Sequence, residues 1–136
     1  MRIRMWGIVC VGMIALCSAA SQSDTEAGWV GVWQGELDGQ PSVILTLAED
    51  TGTLEGTLVL NIINREDGQA RVVAHEPHVL VHPRLEGPTL SFQLKRLDAS
   101  SPMMDFTVTL KAGGSATIHC LNCGKDAPVV EITKRD

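Results

Sequence analysis

From Trp29 onward, apolar and polar residues alternate with a period of two, in short runs separated by Gly, Asp, Asn and Pro. That period predicts antiparallel strands with one buried face rather than amphipathic helices. Eight runs carry it. Strand A covers Trp29 to Leu37, with Trp29, Gly31, Trp33, Gly35 and Leu37 on one face. Strand B (Ser42 to Ala48) turns Val43, Leu45 and Leu47 one way, and strand C (Thr53 to Ile63) does the same with Leu54, Leu58, Leu60 and Ile62. Strand D is irregular. Its pieces, Ala70 to Ala74 and Val79 to Val81, are separated by His75-Glu76-Pro77, and proline cannot donate to a ladder, so this strand is bulged or lies at an edge. Strands E (Thr89 to Leu97), F (Met104 to Lys111), G (Ser115 to Cys120) and H (Val129 to Lys134) complete the set.

Turn residues such as Asp38-Gly39, Thr51-Gly52, Asp67-Gly68 and Gly113-Gly114 join these runs, so neighbours in sequence are expected to be neighbours in a meander. A meander with one continuously apolar face has to hide that face. Eight strands can do so by closing into an up-and-down barrel, which removes both sheet edges. The expected fold class is therefore all-β, an eight-stranded antiparallel up-and-down barrel. The same pattern also allows a two-sheet β-sandwich. The inward set is Trp33, Val43, Leu45, Leu47, Leu58, Leu60, Ile62, Leu90, Phe92, Leu94, Phe106, Val108, Leu110, Ile118, Val130 and Ile132.

The first residues follow another logic. Arg2 and Arg4, the apolar stretch Met5 to Cys17 and the small residues Ser18-Ala19-Ala20 read as a secretory signal peptide over residues 1–20. Residues 21–28 then form an unstructured lead-in and 29–136 the barrel domain. The alternative is a lipid-anchored form through Cys17, although the residue before a lipidated cysteine is ordinarily small and here it is Leu16. No later stretch reaches the roughly 18 to 20 apolar residues of a membrane-crossing helix. The expected location is the periplasm or the medium.

The precursor carries 11 Lys and Arg against 16 Asp and Glu, and losing Arg2 and Arg4 leaves 9 against 16, a net charge of −7. That sign argues against nucleic acid and anionic membrane as partners, since both need clustered cations. Cys120 and Cys123 remain after export, and an oxidising compartment makes a local disulfide their leading reading. A redox pair would need a helix N-terminus to lower the thiol pKa. A zinc site would need further ligands, for which only His75, His78, His82 and His119 are to hand. By strand parity His78 and His82 share a face and His75 points the other way. All of them read as solvent-exposed residues around an irregular strand.

Gly31-Val32-Trp33-Gln34-Gly35 resembles the Gly-x-Trp signature on the first strand of lipocalins and the wider calycin group, and Lys134 ends the last strand. The layout also resembles small exported bacterial domains that open with Trp-x-Gly-x-Leu, here Trp33-Gln34-Gly35-Glu36-Leu37. The lipocalin resemblance implies that Trp33 plugs one barrel end with Lys134 lying over it. It also implies a small apolar ligand inside, with Trp33, Leu45, Phe92, Phe106 and Leu110 lining the site.

A barrel of eight strands is just wide enough either to fill itself with side chains or to hold one small ligand. The inward set carries almost no polar handle of the kind that orients a bound molecule, which favours a filled interior. No phosphate loop, dinucleotide fingerprint or strained nucleophile turn is present in the sequence, so no catalytic residue, cofactor or resident metal is assigned. The resulting expectation is a monomeric, non-enzymatic binding protein for a small apolar molecule. Two alternatives stand beside it: an interaction or inhibitor module that contacts another envelope protein through His75 to Arg84 and Cys120 to Pro128, and metal handling by the His and Cys groups. The exported chain should give an intact mass that starts at Ser21 and falls two hydrogens short of the reduced value. A chain still carrying residues 1–20 would remove the export reading.

Overall fold

The computed structural model describes residues 28–135. The signal peptide expected at 1–20, the alternative anchor at Cys17 and residues 21–27 of the expected lead-in lie outside the described residues. Among these residues the elements are all strands: β1 (Gly31–Leu37), β2 (Gln40–Asp50), β3 (Thr53–Glu66), β4 (Gln69–Val79), β5 (Val81–Glu86), β6 (Thr89–Leu94), β7 (Met104–Leu110), β8 (Ser115–Cys120) and β9 (Val130–Arg135). They form one curled antiparallel sheet in the order β4-β3-β2-β1-β9-β8-β7-β6-β5. The all-β expectation holds, and the sheet is single rather than split into two layers.

Nine strands replace the expected eight because strand D is two strands meeting at Leu80. β4 pairs with β3 and β5 with β6, so one residue separates the two outermost strands of the sheet. Leu80 is nearly buried and donates its N–H to the Gly56 carbonyl at 3.0 Å. The edge position expected for strand D holds, since β4 is an outermost strand, while the interruption at His75-Glu76-Pro77 does not occur. β4 runs straight through Pro77, opposite Val59, because the far side of an outermost strand needs no donor. The irregularities lie on either side of it, in the register shift that skips Val73 and in a bulge between Val81 and Arg84 where His82 takes a φ of 50°.

The first three hairpins are tight. Asp38-Gly39, Thr51-Gly52 and Asp67-Gly68 all have positive φ at both positions, the geometry whose twist matches that of the flanking strands. Alternation then delivers one core. Leu45, Leu58, Leu90, Leu94, Val108 and Ile132 are completely buried, and Leu54, Leu80, Ala116 and Cys120 join them. Ile62 departs from the inward set and is 45 % exposed. The β2 ladder ends at Leu60, and the β3–β4 register shifts just after Ile62, so the hairpin end projects beyond the sheet that would cover it.

Trp29 also departs, since β1 begins only at Gly31. Gly31 has a φ of 137°, and a Cβ there would lie 2.6 Å from Lys134 Cε. The chain therefore bends before the strand, and Trp29 packs against Trp33 with ring centroids 5.9 Å apart. Gly35 meets β9 even more closely: a Cβ would fall 2.7 Å from Val130 Cγ1 and 2.8 Å from both the Glu131 carbonyl and Ile132 Cγ2. Gly35→Ala should force β1 and β9 apart and cost about 1–3 kcal/mol, the range for overpacking a tight core. A urea-unfolding midpoint equal to that of the parent chain would show that this contact is not tight.

Candidate functional site

β1 runs about 20 Å from Gly31 to Leu37 and connects two unlike ends of the curled sheet. At the first end Trp33 Nε1 donates to the Trp29 carbonyl at 2.9 Å. Lys134 stands opposite Trp33 in the β1–β9 ladder, with its Nζ 6.0 Å from the ring centroid and 3.3 Å from the Gly28 carbonyl. Two indoles and the cation above them stop this end, and the stem of Lys134 fills the space that Gly31 leaves open.

The middle is packed. Trp33, Leu45 and Phe92 belong to one continuous core with no more than 2 % exposure, and half-buried Leu110 packs against it. Phe92 stacks on Phe106, with centroids 5.5 Å apart and planes within 5°. Of the five residues expected to line a ligand site, Trp33, Leu45 and Phe92 are buried in the core, Leu110 packs half-buried against it, and Phe106 also lines a cavity at the far end.

That cavity holds about 210 Å³. Leu37, Val43, Leu60, Phe106, Ile118 and Val130 make its apolar wall, and Cys120 at the end of β8 borders it with Cys123, Ala127 and Pro128 of the loop that follows. Cys120 and Cys123 lie at disulfide distance, with Cα atoms 5.6 Å apart. Asn122, between them, secures the loop to β7. Its Oδ1 accepts from the Asp105 N–H at 2.8 Å, and its Nδ2 donates to the Met103 carbonyl at 2.9 Å. Two polar side chains reach the same cavity. Ser42 Oγ donates to the Gly35 carbonyl at 3.3 Å, and Asn61 Nδ2 donates to the Pro41 carbonyl at 2.8 Å while its Oδ1 sits 2.6 Å from His75 Nδ1.

The histidines do not all stand in solvent. His75 and His82 are exposed, but His78 pairs with Leu58 across β3–β4 and its side chain is only 8 % exposed. Among the described residues its Nε2 has no hydrogen-bond partner, and it lies 3.8 Å from Glu76 Oε2. The shared face expected for His78 and His82 is broken by the step at Leu80 and the positive φ of His82. Among the described residues no three His, Cys, Asp or Glu side chains gather closely enough to hold a metal ion. Asp98, in the β6–β7 loop, is held below the usual carboxylate range by hydrogen bonds from the Ser100 hydroxyl and N–H.

A second depression lies on the outer face of β5–β7. It holds about 600 Å³ and is bordered by His82, Arg84, Ser91, Gln93, Asp105 and the exposed Leu121. Neither Ser42 nor Asn61 stood out in the sequence, because both occupy polar-parity positions that look solvent-facing. Leu37 was legible as the last member of the strand A face.

Comparison with protein-family models, with curated proteins and with solved structures finds no match. Replacing both Cys120 and Cys123 with Ser should lower stability by about 2 kcal/mol, the loop-closure value for so small a ring, while Asn122 keeps the loop in place. Thermal unfolding of the double variant checks this, and loss of folding would mean that the bridge and not Asn122 shapes the wall.

Proposed function

We propose that the chain is an extracytoplasmic, non-enzymatic binding protein that takes a small apolar group into the mouth beside Cys120 and Cys123. The supporting observation is the cavity of about 210 Å³ beside a core packed around Trp33, Leu45 and Phe92. It exceeds the roughly 150 Å³ of an engineered apolar cavity that accepts benzene and falls below the roughly 300–1,000 Å³ of sites for larger ligands. One aromatic ring or a short alkyl chain fits those limits. The hydroxyl that reaches the cavity, that of Ser42, is engaged with a backbone carbonyl rather than with a base, so binding is favoured over hydrolysis.

The scaffold reading follows from Leu80. β4 and β5 run on in one direction through that residue, so they serve as a single bent strand, shared by β3 on one side and β6 on the other. Counted so, the strands favour an eight-stranded, lipocalin-like barrel with its seam along this strand. The Trp33–Lys134 arrangement supports the calycin resemblance, and two cysteines at disulfide distance favour an oxidising compartment, periplasmic or extracellular. Among the described residues no helix is long and apolar enough to cross a membrane.

A second reading has its own observation. The outer depression is bordered by His82 and Arg84 on one side and Leu121 on the other, which brings together both segments suited to contact another envelope protein. Leu60→Trp distinguishes the two. It should fill the mouth and abolish benzene-induced shifts of the Ile118 and Val130 methyl resonances, leaving the rest of the spectrum intact. Unchanged methyl shifts when benzene is added to the parent chain would remove the cavity reading and leave the outer depression as the binding face.

A further inference from the structure

Val43, Leu60 and Glu76 are successive cross-strand partners on β2, β3 and β4. Val43 and Leu60 line the mouth, and Glu76, outside that lining, is the next residue of the row on β4. One row deeper, Leu45, Leu58 and His78 are partners in the same way. Side chains directly opposite each other on one face stand about 4.5–5.5 Å apart at Cβ, so Glu76 and His78 are the polar end of an otherwise apolar surface. The His78 side chain is 8 % exposed beside fully buried Leu58, and among the described residues its Nε2 has no hydrogen-bond partner and lies 3.8 Å from the Glu76 carboxylate. That distance is too long for a hydrogen bond. It is short enough for one N–H or O–H group to lie between the two atoms and reach both. A buried polar atom left unpaired is costly, and a ligand head placed there would relieve that cost.

We propose that Glu76 and His78 form the head-group subsite of the mouth, and that the ligand is a short amphiphile with a hydrogen-bond-donating hydroxyl or amine head and an apolar tail. The assignment rests on the cavity reading above and adds the head chemistry to it. Glu76 accepts hydrogen bonds when ionised and repels a carboxylate, so the subsite discriminates by charge as well as by hydrogen bonding. The net charge of −5 over the whole sequence adds to that discrimination. Asn61 and His75, hydrogen-bonded to each other beside the mouth, hold β3 and β4 in the register that keeps Glu76 facing inward.

The test is a titration of the full chain with hexylamine, 1-hexanol and hexanoate, followed by methyl shifts at the mouth. Hexylamine and hexanol should bind at least tenfold more tightly than hexanoate. In Glu76→Gln, at a partly exposed position where folding is not at stake, the gap between amine and carboxylate should shrink to about threefold or less, while benzene binding is unaltered. His78→Gln should weaken hexanol without restoring hexanoate. Equal affinity for hexanoate and hexylamine in the parent chain, or an undiminished preference in Glu76→Gln, overturns the subsite while the cavity reading stands. If neither the three amphiphiles nor benzene bind, the cavity reading falls and the subsite with it.

Discussion

The seam between β1 and β9 is the constraint on which the rest depends. Only four residue pairs join these strands, from Val32–Arg135 to Gly35–Ile132, yet they connect two meanders, β1 to β4 and β5 to β9, that would otherwise be separate sheets each with an exposed apolar face. Contacts this far apart in sequence carry the largest loop-closure cost in the fold. Close approach offsets it. Gly31 leaves room for Lys134, Gly35 leaves room for Val130 and Ile132, and Trp33 lies between them. The short motif Gly31-x-Trp33-x-Gly35 is thus a packing device: two missing side chains allow the last strand to come near, and one large side chain covers the junction.

Period-two alternation made much of this legible before any geometry. The strand segments, the hairpin turns and most of the buried residues follow from it, because a strand side chain has only two faces to choose between. The errors fall where that rule is suspended. Trp29 has the right parity for strand A, but parity says nothing about the bend that Gly31 requires. Its proline put strand D rightly at a sheet edge, but the break at Leu80 sits on an ordinary apolar residue with no signal of its own. Ile62 has the pattern of a core residue but lies beyond the end of its neighbour, and register across strands is invisible in one segment.

The candidate site was less readable for a related reason. The sequence supplied a set of inward side chains without saying how their bulk is distributed along the axis. Both described indoles, Trp29 and Trp33, sit at one end, and at the other the walls are made by Val43, Ile118, Cys120 and Val130 with a single aromatic ring from Phe106. The volume is unevenly spread, so one end is stopped and the other is hollow. The inward turn of Glu76 and His78 depends on the register of β4 against β3, and the segment His75-Glu76-Pro77 reads in isolation as an interruption.

The bond between Lys134 and the Gly28 carbonyl also fixes how the molecule presents itself. Because β1 and β9 run antiparallel with Val32 opposite Arg135, the chain enters and leaves the sheet at the same end, and these two points lie side by side. A tether, a fusion partner or a solid support joined at either point would sit behind the tryptophans, with the opening pointed outward. The domain can therefore be immobilised from either terminus of residues 28–135 without obstructing access, and a reporter dye carried on the loop around Lys125 would sit at the far pole.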